Sequence, residues 1–283
     1  MGSTEYNCKI YHYVDGVQVR FYKKSLHRGF TLEREKQEDS DFENTLSDVA
    51  DDEEERFEKD EIEEKGEVGR KEDVNSDSIL SSMNRTIQSI YGISRSNSWD
   101  WFLTLTVNPR LIDSTDYDLV TKKLSYWLNN LRKRKAPDMK YILVPELHKD
   151  GKKWHFHALI SDCSSLRFKE TNIIKNGKLV YNLLDWLYGF STATKVEHSG
   201  RVSNYITKYI TKELCQRTVG RRRYWASLNC FRMNDVMTID YLTEEQKCDF
   251  IKKYSERISY MKTLDCKKSN QTVRYIEIEG ERL

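Results

Sequence analysis

Residues 143–160 read Leu143-Val144-Pro145-Glu146-Leu147-His148-Lys149-Asp150-Gly151-Lys152-Lys153-Trp154-His155-Phe156-His157-Ala158-Leu159-Ile160. Two strand-like runs flank Asp150-Gly151, a pair that favours a two-residue type I′ hairpin loop. That loop fixes a register: Lys149 with Lys152, His148 with Lys153, Leu147 with Trp154, Glu146 with His155 and Val144 with His157. Alternate residues of a strand share a face. Trp154, Phe156, Ala158 and Ile160 therefore point one way, toward an apolar core, and His155 and His157 point the other. Directly opposed residues have Cβ atoms roughly 4.5–5.5 Å apart, so Glu146 lies beside His155. Two imidazoles and one carboxylate then converge on one patch of sheet. This donor set suits a divalent ion such as Mg²⁺ or Mn²⁺ that keeps open positions for a phosphate. His148, on the same face nearer the turn, is a substitute ligand. A bare His-x-His reads more readily as a partly buried polar pair, which the opposed Glu and tight turn make the lesser reading, and a three-residue loop with a bulge would move Glu146 out of place.

The flanking sequence predicts a mixed α+β fold: a central antiparallel sheet carrying the His-x-His site, with helices packed on it. Trp101–Val107 is a buried strand stopped by Asn108-Pro109. Residues 116–134 form an amphipathic helix with Val120, Leu124, Trp127, Leu128 and Leu131 on one stripe. Residues 140–147 and 154–161 are the two strands of the hairpin above. Ile79, Met83, Ile87 and Ile90 recur at helical spacing between Ser76 and Gly92. Residues 181–188 read as a short helix, 193–198 as a strand and 202–214 as a helix. Thr243 and Gln246 make a capping-box pattern that opens a helix to about residue 261, and Thr272–Glu279 alternates as a final strand. At the start, residues 6–24 form a hairpin about Asp15-Gly16. The chain thus divides into an N-terminal hairpin segment (1–32), an acidic linker (33–75), a central domain (76–230) and a C-terminal extension (231–283).

The 283 residues carry a net charge of +2, unevenly placed. Residues 33–68 hold 18 Asp or Glu and 5 Lys or Arg, a charge of −13, and the remainder therefore carries +15. The acidic stretch is too charged to pack and reads as disordered. The basic remainder points to a polyanionic partner, nucleic acid first, or to ordinary surface charge. Arg132-Lys133-Arg134 end the amphipathic helix where cations are favourable and available for phosphates. Arg221-Arg222-Arg223, followed by Tyr224 and Trp225, are suited to single-stranded DNA by charge and stacking, or form an edge-strand charge cluster. The six cysteines are scattered with no CxxC pair, which argues against a disulfide framework or a Cys-rich zinc module. No secretory signal or membrane-length apolar run is present, and a cytoplasmic setting without a membrane partner is expected.

Residues 201–215 read Arg-Val-Ser-Asn-Tyr-Ile-Thr-Lys-Tyr-Ile-Thr-Lys-Glu-Leu-Cys. On one helix, capped at Ser203, Tyr205, Lys208, Tyr209 and Lys212 share a face, and Ile206, Ile210 and Leu214 form a second stripe for the core. Two phenols interleaved with two ammonium groups suit phosphoryl transfer, since a nearby cation favours a phenolate and stabilises phosphate charge. By itself the segment reads more readily as a surface helix whose tyrosines pack by their edges.

Together these pieces resemble the HUH endonucleases, and among them the rolling-circle replication initiators of small phages, plasmids and single-stranded-DNA viruses. Phe102-Leu103-Thr104-Leu105-Thr106 looks like that family's first motif, His155-Phe156-His157 like the second, and Tyr205-x-x-Lys208-Tyr209-x-x-Lys212 like the third in its two-tyrosine form. The resemblance spans roughly residues 76–230. It implies a divalent metal on His155 and His157, with Glu146 matching the upstream acidic ligand of related viral initiators, although the stretch to the first His is one residue longer here. It also implies attack by a tyrosine on single-stranded DNA at a replication origin, a 5′-phosphotyrosyl link and a free 3′-OH. No GxxxxGK[ST] is present, so unwinding and synthesis would fall to a host helicase and polymerase. The alternatives are a non-enzymatic DNA-binding repressor, and a related relaxase or transposase.

Overall fold

A computed structural model describes residues 5–27, 73–197, 199–232, 236–266 and 270–280, and the acidic segment 33–68 lies outside them. In chain order the elements are β1 (Glu5–His12), β2 (Gly16–His27), α1 (Asp73–Arg95), β3 (Trp101–Val107), α2 (Tyr117–Arg134), β4 (Lys140–Leu147), β5 (Trp154–Ser161), β6 (Phe168–Lys175), β7 (Lys178–Leu183), β8 (Gly189–Lys195), α3 (Ser199–Thr207), α4 (Lys212–Arg217), β9 (Trp225–Ala226), β10 (Val236–Ile239), α5 (Glu244–Lys253), β11 (Ile258–Cys266) and β12 (Gln271–Glu279). The fold is mixed α+β, as the pattern predicts, but the strands build two antiparallel sheets rather than one. They belong to two compact units, residues 1–54 with 232–283 and residues 55–231. Among the described residues, no helix is long and apolar enough to cross a membrane.

In the first unit the strand order is β10-β1-β2-β12-β11. Cys8, Ile10, Val17, Val19, Phe21, Ile276 and Ile278 cluster on one face, and Phe250, Ile251 and Tyr254 of α5 and its end pack against them. The capping box at Thr243 and Gln246 is present. The helix it opens ends at Lys253, however, because residues 258–266 pair along β12 and complete the sheet edge. The N-terminal turn is also displaced by one residue. Tyr13 N–H donates to Gly16 C=O at 2.9 Å, which makes Val14 and Asp15 the turn residues. Gly16 serves a different end: a Cβ there would stand 2.3 Å from the Ile278 carbonyl oxygen, so glycine permits the approach of β12.

In the second unit the order is β6-β7-β8-β3-β5-β4-β9. The α2 helix is capped by Asp116, whose carboxylate accepts from Asp118 N–H and Leu119 N–H. Its buried stripe contains Val120, Leu124, Trp127, Leu128 and Leu131. Tyr117 at the start of α2 meets the Trp154 ring edge-on at 4.7 Å, so α2 covers the face bearing Trp154 and Phe156. Burying each such Leu or Phe stabilises by about 1.5–3 kcal/mol. The opposite face is covered too: α3 reaches β5, and α1 packs on α3 and reaches β4. Leu159 and Ile142 are therefore as buried as Phe156, and the sheet is a middle layer rather than one wall of a single core.

Two stretches differ from the sequence reading. Residues 181–188 are not a helix: β7 runs to Leu183, and Asp185 then turns inward to bind Lys135 Nζ at 2.5 Å and Arg167 Nη2 at 3.0 Å. Nor are residues 202–214 one helix. The α3 helix ends at Thr207 and α4 begins at Lys212, because the Thr211 hydroxyl caps α4 by accepting from Leu214 N–H. Ser203 lies buried inside α3 and is not its cap.

Candidate metal centre and tyrosine pair

Strand register assembles the centre. Glu146 on β4 pairs with His155 on β5, and His157 pairs with Val144 on β4 and Thr104 on β3. This is the predicted register, although the connecting loop is not the predicted one. His148 N–H donates to Lys153 C=O and Gly151 N–H to His148 C=O. Of the two residues a type I′ turn would hold at positive φ, only Gly151 is, at 64°. The loop therefore has four residues, 149–152. It is centred on the same point as a two-residue loop at 150–151, so pairing beyond it is unchanged.

The three side chains meet at their tips. Glu146 Oε2 lies 2.5 Å from His155 Nε2 and 2.6 Å from His157 Nε2, and the two nitrogens are 3.1 Å apart. These are one carboxylate oxygen and two imidazole nitrogens within 4.8 Å of one another, an arrangement able to hold a divalent cation. Glu146 is one-third exposed, whereas the His155 and His157 side chains are 12% and 7% exposed. Of the three, Glu146 is the side chain most open to solvent. Burial raises the Glu146 pKa, but hydrogen bonds with both imidazoles outweigh it and hold the carboxyl at about 2. Burial lowers the His157 pKa despite the nearby carboxylate, which keeps the ring neutral and competent as a ligand. His148 stands outside this cluster: it is exposed, its Nδ1 lies 4.0 Å from Asp150, and its ring centroid is 5.9 Å from that of His155.

His157 is the most constrained member. Its Nδ1 lies 3.2 Å from the Thr104 hydroxyl. Phe102 flanks the ring at 5.7 Å, and Tyr209 stacks flat on it at 3.5 Å with the planes 7° apart. Tyr205, on the last turn of α3, meets the Tyr209 ring edge-on at 5.5 Å and Phe102 at 5.2 Å. The Lys208 ammonium sits 4.8 Å from the Tyr205 ring centroid. Tyr205, Lys208 and Tyr209 are thereby brought to the His pair, but not as one helical face: Lys208 and Tyr209 lie in the turn after α3. Lys212 is the exposed first residue of α4 and has no part in these contacts. The ring stack on His157 has no signature in residue spacing, because it arises from the helix break.

The basic residues are scattered. Arg132, Lys133 and Arg134 end α2, on the far side of the sheet from the metal ligands. Arg221 pairs with Asp118 at 2.8 Å, and Arg222 lies 6.0 Å from the Trp225 ring centroid. Arg223 is half-buried and donates to Ser82 Oγ, Thr218 Oγ1 and the Cys215 carbonyl, fastening its loop to α1 and α4.

Residues 100–214 match the family described as replication-associated protein ORF2/G2P. The matched segment contains β3, the β4–β5 hairpin with all three metal-ligand candidates, and both tyrosines. Over that segment the chain is similar to replication-associated proteins of the Rep type. No curated protein and no solved structure matches the chain.

Proposed function

We propose that the protein is a replication initiator that nicks and rejoins single-stranded DNA at a rolling-circle origin, as an HUH endonuclease of the two-tyrosine type. One observation carries the reading: the Glu146–His155–His157 cluster has Tyr209 stacked on one of its imidazoles and Tyr205 beside that ring. Similarity to replication-associated proteins over residues 100–214 supports it independently.

Held by Glu146, His155 and His157, an Mg²⁺ or Mn²⁺ ion would supply Lewis-acid polarisation of the scissile phosphate. The phenol oxygen of one tyrosine bonds to phosphorus and the bond from phosphorus to the 3′ oxygen breaks. The phenol proton passes to solvent, and the departing 3′ oxygen takes up a proton. A 5′-phosphotyrosyl link and a 3′-OH result, and the reverse reaction rejoins the strand. The Lys208 ammonium contributes positive charge next to Tyr205, where phosphate charge gathers. The rings of Tyr205 and Tyr209 are neighbours, so both serve one centre, alternating as acceptor of the 5′ end.

The test is a covalent adduct. The full chain is incubated with Mn²⁺ and single-stranded oligonucleotides from the genome that encodes it, and mass spectrometry locates the linked residue. Tyr205→Phe and Tyr209→Phe should each still form one adduct, and the double variant none. His155→Ala with His157→Ala should abolish the adduct while DNA binding persists. A chain that binds these strands but never forms an adduct would be a DNA-binding repressor. Loss of the adduct in Tyr209→Phe alone, with repeated cleavage and joining in Tyr205→Phe, would exclude alternation.

A further inference from the structure

Strand register places more than the metal ligands in line. Phe190 on β8 pairs with Thr106 on β3, Thr106 with His155 on β5, and His155 with Glu146 on β4. These four residues form one rung on one face of the sheet, since directly opposed residues share a face. Phe190 stands two strands from His155, about 10 Å away at strand spacings of about 4.8 Å. On the next rung Thr192 pairs with Thr104, which pairs with His157. The face changes character along these rungs. Toward β4 the helices cover it, and Val144 and Leu159 are fully buried. Toward β8 it lies open: Phe190 is 72% exposed, and Thr192, Asn182 and Lys169 are exposed as well. Asn182 pairs with Lys169, so the polar strip runs to the β6 edge.

A single exposed aromatic is ordinary on a protein surface. Phe190 is distinguished by its anchorage and its neighbours. A Cβ at Gly189 would lie 2.1 Å from the Thr106 carbonyl oxygen, so β8 is pressed onto β3 immediately before Phe190. Asn108 N–H donates to the Tyr188 carbonyl, and Trp186 Nε1–H to the Thr106 carbonyl. The ring is thus carried on a clamped stretch of backbone two strands from His155, on the face that bears the metal centre.

We infer that this open strip is a seat for single-stranded DNA: Phe190 stacks one base near the scissile phosphate, and Thr192, Asn182 and Lys169 follow the strand toward the β6 edge. The inference rests on the nicking reading for its substrate. An exposed ring takes the face of an unpaired base, which a duplex hides in its own stack, and a neighbouring ammonium complements the phosphates. The strip therefore selects single strands without reading sequence.

The test uses the full chain with Mn²⁺ and a fluorescent oligothymidylate, followed by anisotropy. Phe190→Ala should weaken binding by about 5- to 150-fold, the range of one base–aromatic stack, and Phe190→Trp should restore it. Affinity for duplex DNA should not change. Photocrosslinking to an oligonucleotide with 5-iodouracil should label Phe190. Because Phe190 is exposed, its variants should keep the wild-type circular dichroism and melting curve. Wild-type affinity in Phe190→Ala, failure of Phe190→Trp to restore binding, or crosslinks confined to other residues would overturn the inference. Its failure is separable from failure of the nicking reading. An adduct that forms while Phe190→Ala binds normally removes the seat alone. Phe190-dependent binding without an adduct leaves the seat and removes the nicking.

Discussion

Thr104→Val should weaken the metal centre more than the loss of one hydroxyl suggests. Both imidazoles offer Nε2 to the centre, so each must carry its proton on Nδ1 when a metal is bound. In His157 that N–H would then donate to Thr104 Oγ1, 3.2 Å away, whereas in the metal-free chain the neutral ring carries its proton on Nε2 and donates to Glu146 Oε2 at 2.6 Å. Valine fills the same volume without an acceptor, and the His157 side chain is only 7% exposed, so water cannot readily substitute. Metal binding would move the proton from Nε2 to Nδ1, where Thr104→Val leaves it without an acceptor. An orphaned buried donor costs about 1–3 kcal/mol, and partners behind a ligating histidine are worth about 10- to 100-fold in metal affinity. Calorimetric titration with Mn²⁺ should show a loss in that range for Thr104→Val and near-wild-type affinity for Thr104→Ser. Long-range ¹⁵N spectra should show the His157 proton on Nε2 in the metal-free protein and on Nδ1 with Mg²⁺ bound. Unchanged Mn²⁺ affinity in Thr104→Val, or a His157 proton that stays on Nε2 with Mg²⁺ bound, would refute the reasoning.

Two further outcomes are expected. Glu146 has its pKa lowered to about 2 in the folded chain from 4.5. It therefore contributes stability that is present above pH 4.5 and lost as pH falls from 4.5 toward 2, about 1–2 kcal/mol once solvent screening of a carboxylate one-third exposed is allowed for. Melting curves of the metal-free protein across that window should steepen for the wild type relative to Glu146→Gln, and parallel curves would count against it. Gly16→Ala places a methyl group 2.3 Å from the Ile278 carbonyl oxygen. It should destabilise the first unit by about 1–3 kcal/mol in denaturant titration, and wild-type stability would show that β12 can retreat without cost.

The hairpin that carries the ligands was legible because its alternation is strict and its loop is symmetric. Mistaking four loop residues for two left every pair beyond the loop in place, whereas a bulge would have moved Glu146 to the other face. The α2 stripe was legible for a similar reason, since its five apolar positions follow one period. Strand β6 was not. Its residues Lys169, Glu170, Asn172, Ile173 and Ile174 are exposed, so burial imposes no alternation on them. The Asn176-Gly177 pair at its end, with φ of 50° and 73°, was the readable sign of a tight hairpin turn. The break between α3 and α4 was hidden because the tyrosines and the isoleucines keep helical spacing across it. Thr211, a cap residue type three before Leu214, was the only local signal, and it competes with a pattern that runs straight through.

The pairing of β2 with β12 joins residues about 250 positions apart, Tyr22 with Val273 and Val17 with Ile278. The whole second unit is threaded between them in the chain. On the ribosome the order of events is thereby constrained. The first hairpin emerges early and waits with an unsatisfied edge, while residues 73–231 can close among themselves as soon as they are made. Only when β12 leaves the exit tunnel can the sheet of the first unit form. A stop codon before residue 271 would spare the metal centre and both tyrosines, yet strand the opening hairpin without its partner, with an open edge inviting association between chains.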